Sequence, residues 1–413
     1  MRVVAGGAAE KRVRQLAARA SRLEAVEPQV RKIVADVRRN GDRALVKYAR
    51  KWDALQAGQP LRVAESEIRA AWKTASPELR SALQRAAANI RRFCEWQKPS
   101  EWIKKAGGIS LGQLVRPLES VGCYVPGGRY PLPSTLLMTV IPAQVAGVRG
   151  IRVISPKPQP ETLAAAALLG VTEVYRVGGA HAIAALAYGT ESIPRVDKIV
   201  GPGNLYVTAA KKLVAFDCSI DFLAGPTEVV IVAERGDARF IAADLVAQAE
   251  HDPEALAIFI SSSHAFAEKV AACVGAVPDN NSIAQQSLAT NGVALVAASH
   301  AQALEWANRL APEHITVARG DVAAIRSAGS VFVGEYSPQA VGDYASGPNH
   351  VLPTAGAARS RGGLTVLDFL KLITVQELSP QSLRRIAPVV TSLAEAEGLQ
   401  AHAESVRVRC AHA

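Results

Sequence analysis

Residues 173–189, EVYRVGGAHAIAALAYG, decide the fold. Val174, Tyr175 and Val177 are of the types that populate strands, Gly178-Gly179 breaks the run, and an alanine-rich helical segment then reaches Gly189. A strand, a tight glycine turn and a helix in immediate succession make half of a βαβ unit, whose parallel strands need a crossover helix between them. Working outward, the alternation recurs. SVGCYV (120–125), IRVISP (151–156), DKIVGPGN (197–204) and EVVIVAE (228–234) are short Val/Ile-rich runs, and PETLAAAALLG (160–170) is a helix between two of them. A second set, LAIFISSS (256–263), GVALVAAS (292–299) and GSVFVGEY (329–336), encloses helices AFAEKVAACVG (265–275) and HAQALEWANRLAP (300–312). Two α/β units are therefore expected.

The flanks are helical. In 27–53 Val30, Ile33, Val34 and Val37 share one face and Gly41 is a break, while 76–97 starts at a Ser76 N-cap. Residues 379–409 read as a separate helical module. The fold class is thus α/β, with two Rossmann-like parallel-sheet domains, a helical N-terminal region and a small C-terminal helical module.

A chain of 413 residues suits two or three domains, and 49% hydrophobic with 20% charged residues is an ordinary globular composition. The net charge of +10 is spread over helical faces, without a zinc finger, RNP-type strand or basic-region helix, so nucleic-acid binding is not expected. Five separated cysteines with no CxxC pair read as free thiols of a reducing compartment. The opening MRVVAGGAAEKRVRQ lacks an apolar signal core. Prolines 131, 133 and 142 interrupt the longest uncharged run, so no membrane span and a cytoplasmic location are expected.

Two glycine turns, at 177–181 and 201–204, stand where strand-to-helix N–H groups favour phosphate, a plain tight turn being the other reading of each, and 124–134 adds a third Gly/Pro loop with Tyr124 available to stack or hydrogen-bond. In LVAQAEHDPEA (245–255), Asp237 caps a helix that buries Phe240, Ile241 and Leu245, and Gln248 and His251 project from one side of its last turn. That pair is compatible with a catalytic metal, and equally with a helix end that favours a cationic His. Glu313 and His314 in LAPEHITV suit proton transfer, or are a surface acid beside a core histidine. Asp343 and His350 share a polar Gly/Pro-rich loop, and Glu397 and His402 lie on the tail module. His181, His264, His300 and His412 lack comparable company, and three of them read as surface or core residues.

Taken together, VPGGRYPLPSTLLM, VGGAHAIAALAYGTE, GPGNLYVTAAKK, DFLAGPTEV, AQAEHDP, APEHI, GDYASGPNHVLPT, GGLTVLDFLK and AEGLQAH resemble the histidinol dehydrogenase family over about residues 25–408. The resemblance implies a zinc-containing homodimer that oxidises L-histidinol to L-histidine through the aldehyde with two NAD. It implies zinc on Gln248, His251, Asp343 and His402, with His402 supplied by the other subunit because the tail is swapped. Thr227, Gln248, His251, His314, Asp343, Glu397 and His402 would surround the substrate with His350 nearby, Glu313 and His314 would be the acid–base pair, and Tyr124, His181 and Asn204 match cofactor positions. The expected division is residues 1–123 plus 227–364 as a first domain with the N-terminal helices packed on it, 124–226 as an NAD-binding domain, and 365–413 as the swapped module. Two departures stand out: His181 replaces the usual Gln, and Thr227 the commoner Ser. A related zinc dehydrogenase acting on a sulfonated diol is the nearest alternative, disfavoured by Glu397 and His402; a closed structural zinc site is disfavoured by Gln and Asp ligands without cysteine.

Overall fold

A computed structural model describes residues 1–19, 23–127, 131–276 and 282–411; His412 lies outside them. Strand β1 (Arg2–Ala5) and helix α1 (Gly6–Ala17) open the chain, followed by α2 (Glu27–Trp52), α3 (Glu65–Thr74), α4 (Pro77–Gln97) and a hairpin of β2 (Trp102–Ala106) and β3 (Ile109–Pro117). One α/β unit then runs β4 (Ser120–Tyr124), α5 (Pro133–Ala146), β5 (Gly150–Ile154), α6 (Pro160–Leu168), β6 (Val174–Tyr175), α7 (Gly179–Tyr188), β7 (Lys198–Val200), α8 (Leu205–Val214) and β8 (Ser219–Ile220). The other runs β9 (Glu228–Val232), α9 (Ala238–Ala249), β10 (Leu256–Ser261), α10 (His264–Gly275), α11 (Ser282–Thr290), β11 (Val293–Val296), α12 (His300–Leu310), β12 (His314–Val317), β13 (Ser330–Val333) and α13 (Gln339–Tyr344). Strand β14 (Leu370–Leu378) and helices α14 (Pro380–Ala396) and α15 (Gln400–Ala411) follow.

Both expected parallel sheets form. Their orders are β6-β5-β4-β7-β8 and β1-β11-β10-β9-β12-β13. Numbered within its own unit, each reads 3-2-1-4-5, with β1 added at one edge of the second. This is a doubly wound order, and burial on both faces explains why β9 is apolar after Glu228. Each fully buried Val or Ile contributes about 1.5–3 kcal/mol. The N-caps follow the sequence: Ser76 Oγ accepts from the Leu79 N–H at 3.1 Å, and Asp237 accepts from that of Arg239 at 2.8 Å. Helix α2 breaks at Gly41, at φ +50°, where the Glu191 carboxylate accepts the Asp42 N–H.

Three features differ from expectation. The N-terminal helices do not cover the first domain: Val30, Ile33, Val34 and Val37 pack with Tyr124, Ile154 and the α7–α8 surface, and Leu83 and Ile90 of α4 pack with Leu136 and Val140 of α5. Of residues 1–123, β1 and α1 belong to the six-stranded sheet, and β4 carries the five-stranded sheet across the boundary expected at 123. The tail module is not purely helical, because β14 pairs antiparallel with β3, which pairs antiparallel with β2.

Candidate active site

The site lies where the two sheets meet. Thr227 precedes β9, Gln248 lies in the last turn of α9, Glu313 precedes β12 and His314 opens it, all at the amino edge of the six-stranded sheet. Facing them is the carboxyl edge of the other sheet. Thr135, in the first turn of α5, places its hydroxyl 3.3 Å from His350 Nε2, and His350 Nδ1 is 2.7 Å from the Asp343 carbonyl oxygen. Ala311, at φ +47° just before Pro312, ends α12 and turns the chain into Glu313.

The side chains form one network. Gln248 Nε2 donates to Thr227 Oγ1, Thr227 donates to Glu313 Oε2, and the Glu228 N–H donates to the same oxygen at 2.9 Å. His314 is 3% exposed, with Nε2 3.4 Å from Asp343 Oδ1 and Nδ1 3.8 Å from Glu313 Oε2. Its Nδ1 is buried with no hydrogen-bond partner among the described residues. Burial pushes the Glu313 carboxyl up. Burial also opposes charge on His314, but the Glu313 and Asp343 carboxylates outweigh it and hold the imidazole above its ordinary value. For Asp343 burial acts upward, and His314, His350 and His251 together bring it below the usual carboxylate range. A buried acid and base with opposed environments can pass protons without bulk water.

The donor set fits a zinc ion in part. His251 Nδ1 is 3.1 Å from the Ala247 carbonyl oxygen, a contact that places the proton on Nδ1 and leaves Nε2 as a ligand. The Gln248 amide nitrogen is engaged by Thr227, which leaves its carbonyl oxygen. With Asp343 this makes one nitrogen and two oxygen donors, a set zinc accepts. Among the described residues no three His, Cys, Asp or Glu side chains of one chain gather as a metal group. Glu397 and His402 are exposed on the tail, and no hydrogen bond or ion pair joins either to this network among the described residues.

The nucleotide positions look different from their reading in sequence. Tyr124 is 4% exposed and its hydroxyl accepts the Gly179 N–H at 3.0 Å. His181 is 1% exposed with Nε2 2.7 Å from Asp53 Oδ2, which also accepts the Gly178 N–H. The first N–H groups of α7 thus hold the protein's own oxygens rather than standing free for phosphate. Asn204 is exposed and caps α8 through the Tyr206 and Val207 N–H groups. Its loop is clamped by Lys211, 3% exposed, which reaches Asp221 Oδ1 at 2.6 Å and the Gly201 carbonyl at 2.5 Å. Phe240, expected in the core, is 43% exposed and meets Tyr336 edge-on. His300, set aside in sequence, bridges Glu234 at 3.0 Å and Asp321 at 2.8 Å on the far, carboxyl edge of the six-stranded sheet. Thr135 was also missed, although it lies inside a quoted motif.

Fold and site define an α/β enzyme with a buried acid–base centre between two Rossmann-like units. The histidinol dehydrogenase family model matches residues 16–410. The chain is 46% identical to a histidinol dehydrogenase of Methanosarcina barkeri, covering 97% of this chain and 95% of that one, and 46% identical to that of Methanothermobacter thermautotrophicus, covering 91% and 92%. A crystal structure of histidinol dehydrogenase from Elizabethkingia anophelis superposes with a TM-score of 0.93 at 36% identity, over 99% of this chain and 98% of that one. The chain belongs to the histidinol dehydrogenase family, a family of oxidoreductases.

Proposed function

We propose that the protein oxidises L-histidinol to L-histidine through L-histidinal, with two NAD and one zinc per subunit, as a cytoplasmic homodimer. The observation that carries the reading is the Thr227–Glu313–His314–Asp343 network around the buried Glu313 and His314, whose His314 Nδ1 has no hydrogen-bond partner among the described residues. Gln248, His251 and Asp343 would hold the metal together with His402 from a second copy. When bound, zinc supplies a fixed Lewis-acidic anchor for the substrate imidazole and amine, and NAD supplies the hydride acceptor.

The protein's own side chains move the protons. His314 takes the hydroxyl proton in the first oxidation. In the second, Glu313 takes a proton from the water whose oxygen enters the product, and His314 takes the next. Glu397 is the counter-charge for the substrate ammonium, and burial of the pair excludes bulk water while the aldehyde waits. Nearby, Tyr124, His181 and Asn204 line the nucleotide side, where His181 acts through Asp53 and the α7 N-terminus. The exposed apolar side chains Ile103 and Ile373, on one face of the antiparallel sheet, and Val389 and Leu393, one turn apart on α14, are between 45% and 65% exposed and suit surfaces covered by a second copy.

The test is NADH formation from L-histidinol before and after chelation. Two NADH per substrate, lost on chelation and restored by zinc, is the expected result. Turnover indifferent to metal removal, or turnover only of a diol lacking imidazole, overturns the reading.

A further inference from the structure

Glu228 opens β9, one residue after Thr227. Thr227 meets Gln248 of α9, whereas the Glu228 carboxylate turns to the other face of the sheet and meets Arg19, just past the end of α1. That carboxylate is 3% exposed. Arg19 Nε donates to its Oε1 at 2.6 Å, Arg19 Nη2 to its Oε2 at 2.5 Å, and the Ala355 N–H to Oε1 at 3.0 Å. The guanidinium is fixed in turn, because its Nη1 donates to the Leu16 carbonyl oxygen in the last turn of α1 at 2.7 Å.

We propose that Arg19 and Glu228 are positioning residues for the oxidation, holding the start of β9 so that its two consecutive donors keep the Glu313 carboxylate in place. The inference rests on the reading of Glu313 as the base of the second oxidation.

The two donors are the Thr227 hydroxyl and the Glu228 N–H, and both reach Glu313 Oε2. They sit where the chain leaves a loop to enter the strand, so their direction depends on what anchors that entry. The Gly225 N–H donates to Thr354 Oγ1 and the Thr227 carbonyl accepts the Leu256 N–H at 2.9 Å, both ordinary neutral bonds. The Glu228 anchor is of a stronger kind. A planar guanidinium fork takes both oxygens of a carboxylate and fixes its orientation, which a point charge does not. An apolar pair of similar volume would serve stability about as well as a buried ion pair. What this pair adds is direction, and it adds it one peptide from the base. It also joins α1 and the loop that follows His350 to the same strand end.

Stopped-flow assays of the zinc-loaded full-length enzyme, with histidinol and with added histidinal, test the proposal. Arg19→Met keeps the apolar stem and removes the fork. It should lower kcat for histidinal oxidation by roughly ten- to a hundredfold, leave the KM for histidinal within about twofold and slow the alcohol step far less. Arg19→Lys, which keeps the charge, should recover much of the loss. A merely structural role would lower both half-reactions together, in proportion to the folded fraction read by circular dichroism. That result, or full histidinal oxidation by Arg19→Met, overturns the inference. Because a lone buried carboxylate can unfold the chain, the double variant Arg19→Met with Glu228→Gln, which leaves no unpaired charge, carries the same expectation and the same refutation. Glu313→Gln, run alongside, separates the two readings. A histidinal-selective loss there without one in Arg19→Met removes this inference alone. Equal slowing of both steps by Glu313→Gln removes the base assignment and this inference with it.

Discussion

Thr227 takes a hydrogen bond from Gln248 and gives one to Glu313, so a single hydroxyl couples the end of α9 to the Glu313–His314 pair. Glutamine at 313 would keep an acceptor for the Thr227 and Glu228 donors while losing the base. Glu313→Gln should therefore slow oxidation of added histidinal by about 10²–10⁴-fold and the alcohol step far less; equal slowing of both, in stopped-flow assays of each half-reaction, would count against separate roles. Lys211 and Asp221 test a structural pair. Removing one partner of so buried an ion pair costs about 3–5 kcal/mol, so Lys211→Met should lower the unfolding free energy by that amount. The double variant with Asp221→Asn should lose less than the two single losses added together. At this scale Gln248, Glu313, His314 and Asp343, which the network joins, could be picked out because they are chemically unusual within their short segments. The Asp53–His181 pair was not, since Asp53 follows the end of α2 while His181 lies in α7, and nothing local marks them as partners. Phe240 misled because helical spacing places it on the stripe with Ile241, while the other side of that stripe leaves the core.

Among the elements, the parallel strands were readable because both faces are buried and the sequence records this as continuous Val/Ile runs. The antiparallel sheet of β2, β3 and β14 left no such record. β2 is exposed along its whole length and β14 nearly so, so no alternation of apolar and polar residues develops. The His300 clamp was equally silent, because it joins the ends of separate strands and the start of α12. Asp321 and Glu234 raise the His300 pKa, chiefly through the hydrogen bond to Asp321. A raised folded value means the clamp stabilises fully below the unfolded imidazole value of about 6.5 and fades as pH rises through the folded one. His300→Gln should accordingly lower Tm more at acidic than at alkaline pH; a deficit that grows with pH, read by thermal melts across the range, would show the charge is not involved.

Across the whole molecule, two units of the same strand order use opposite edges for the cleft: the carboxyl edge of one sheet meets the amino edge of the other. No local pattern carries that arrangement, because it depends on how the β8–β9 connection and the Thr135–His350 contact set the units together. The shared-site reading makes a prediction at this scale. Chains bearing His251→Ala and chains bearing His402→Ala should each be inactive, and a mixed dimer should regain part of the activity; proven mixed dimers without recovery would exclude the exchange.

Helices α14 and α15 pack on one another, while α14 leans on β14 and the turn between β2 and β3. If that pair completes the neighbour's centre, catalytic competence obeys mass action. Specific rate per chain should hold constant at high protein concentration and collapse on dilution past the dissociation midpoint, recovering on reconcentration.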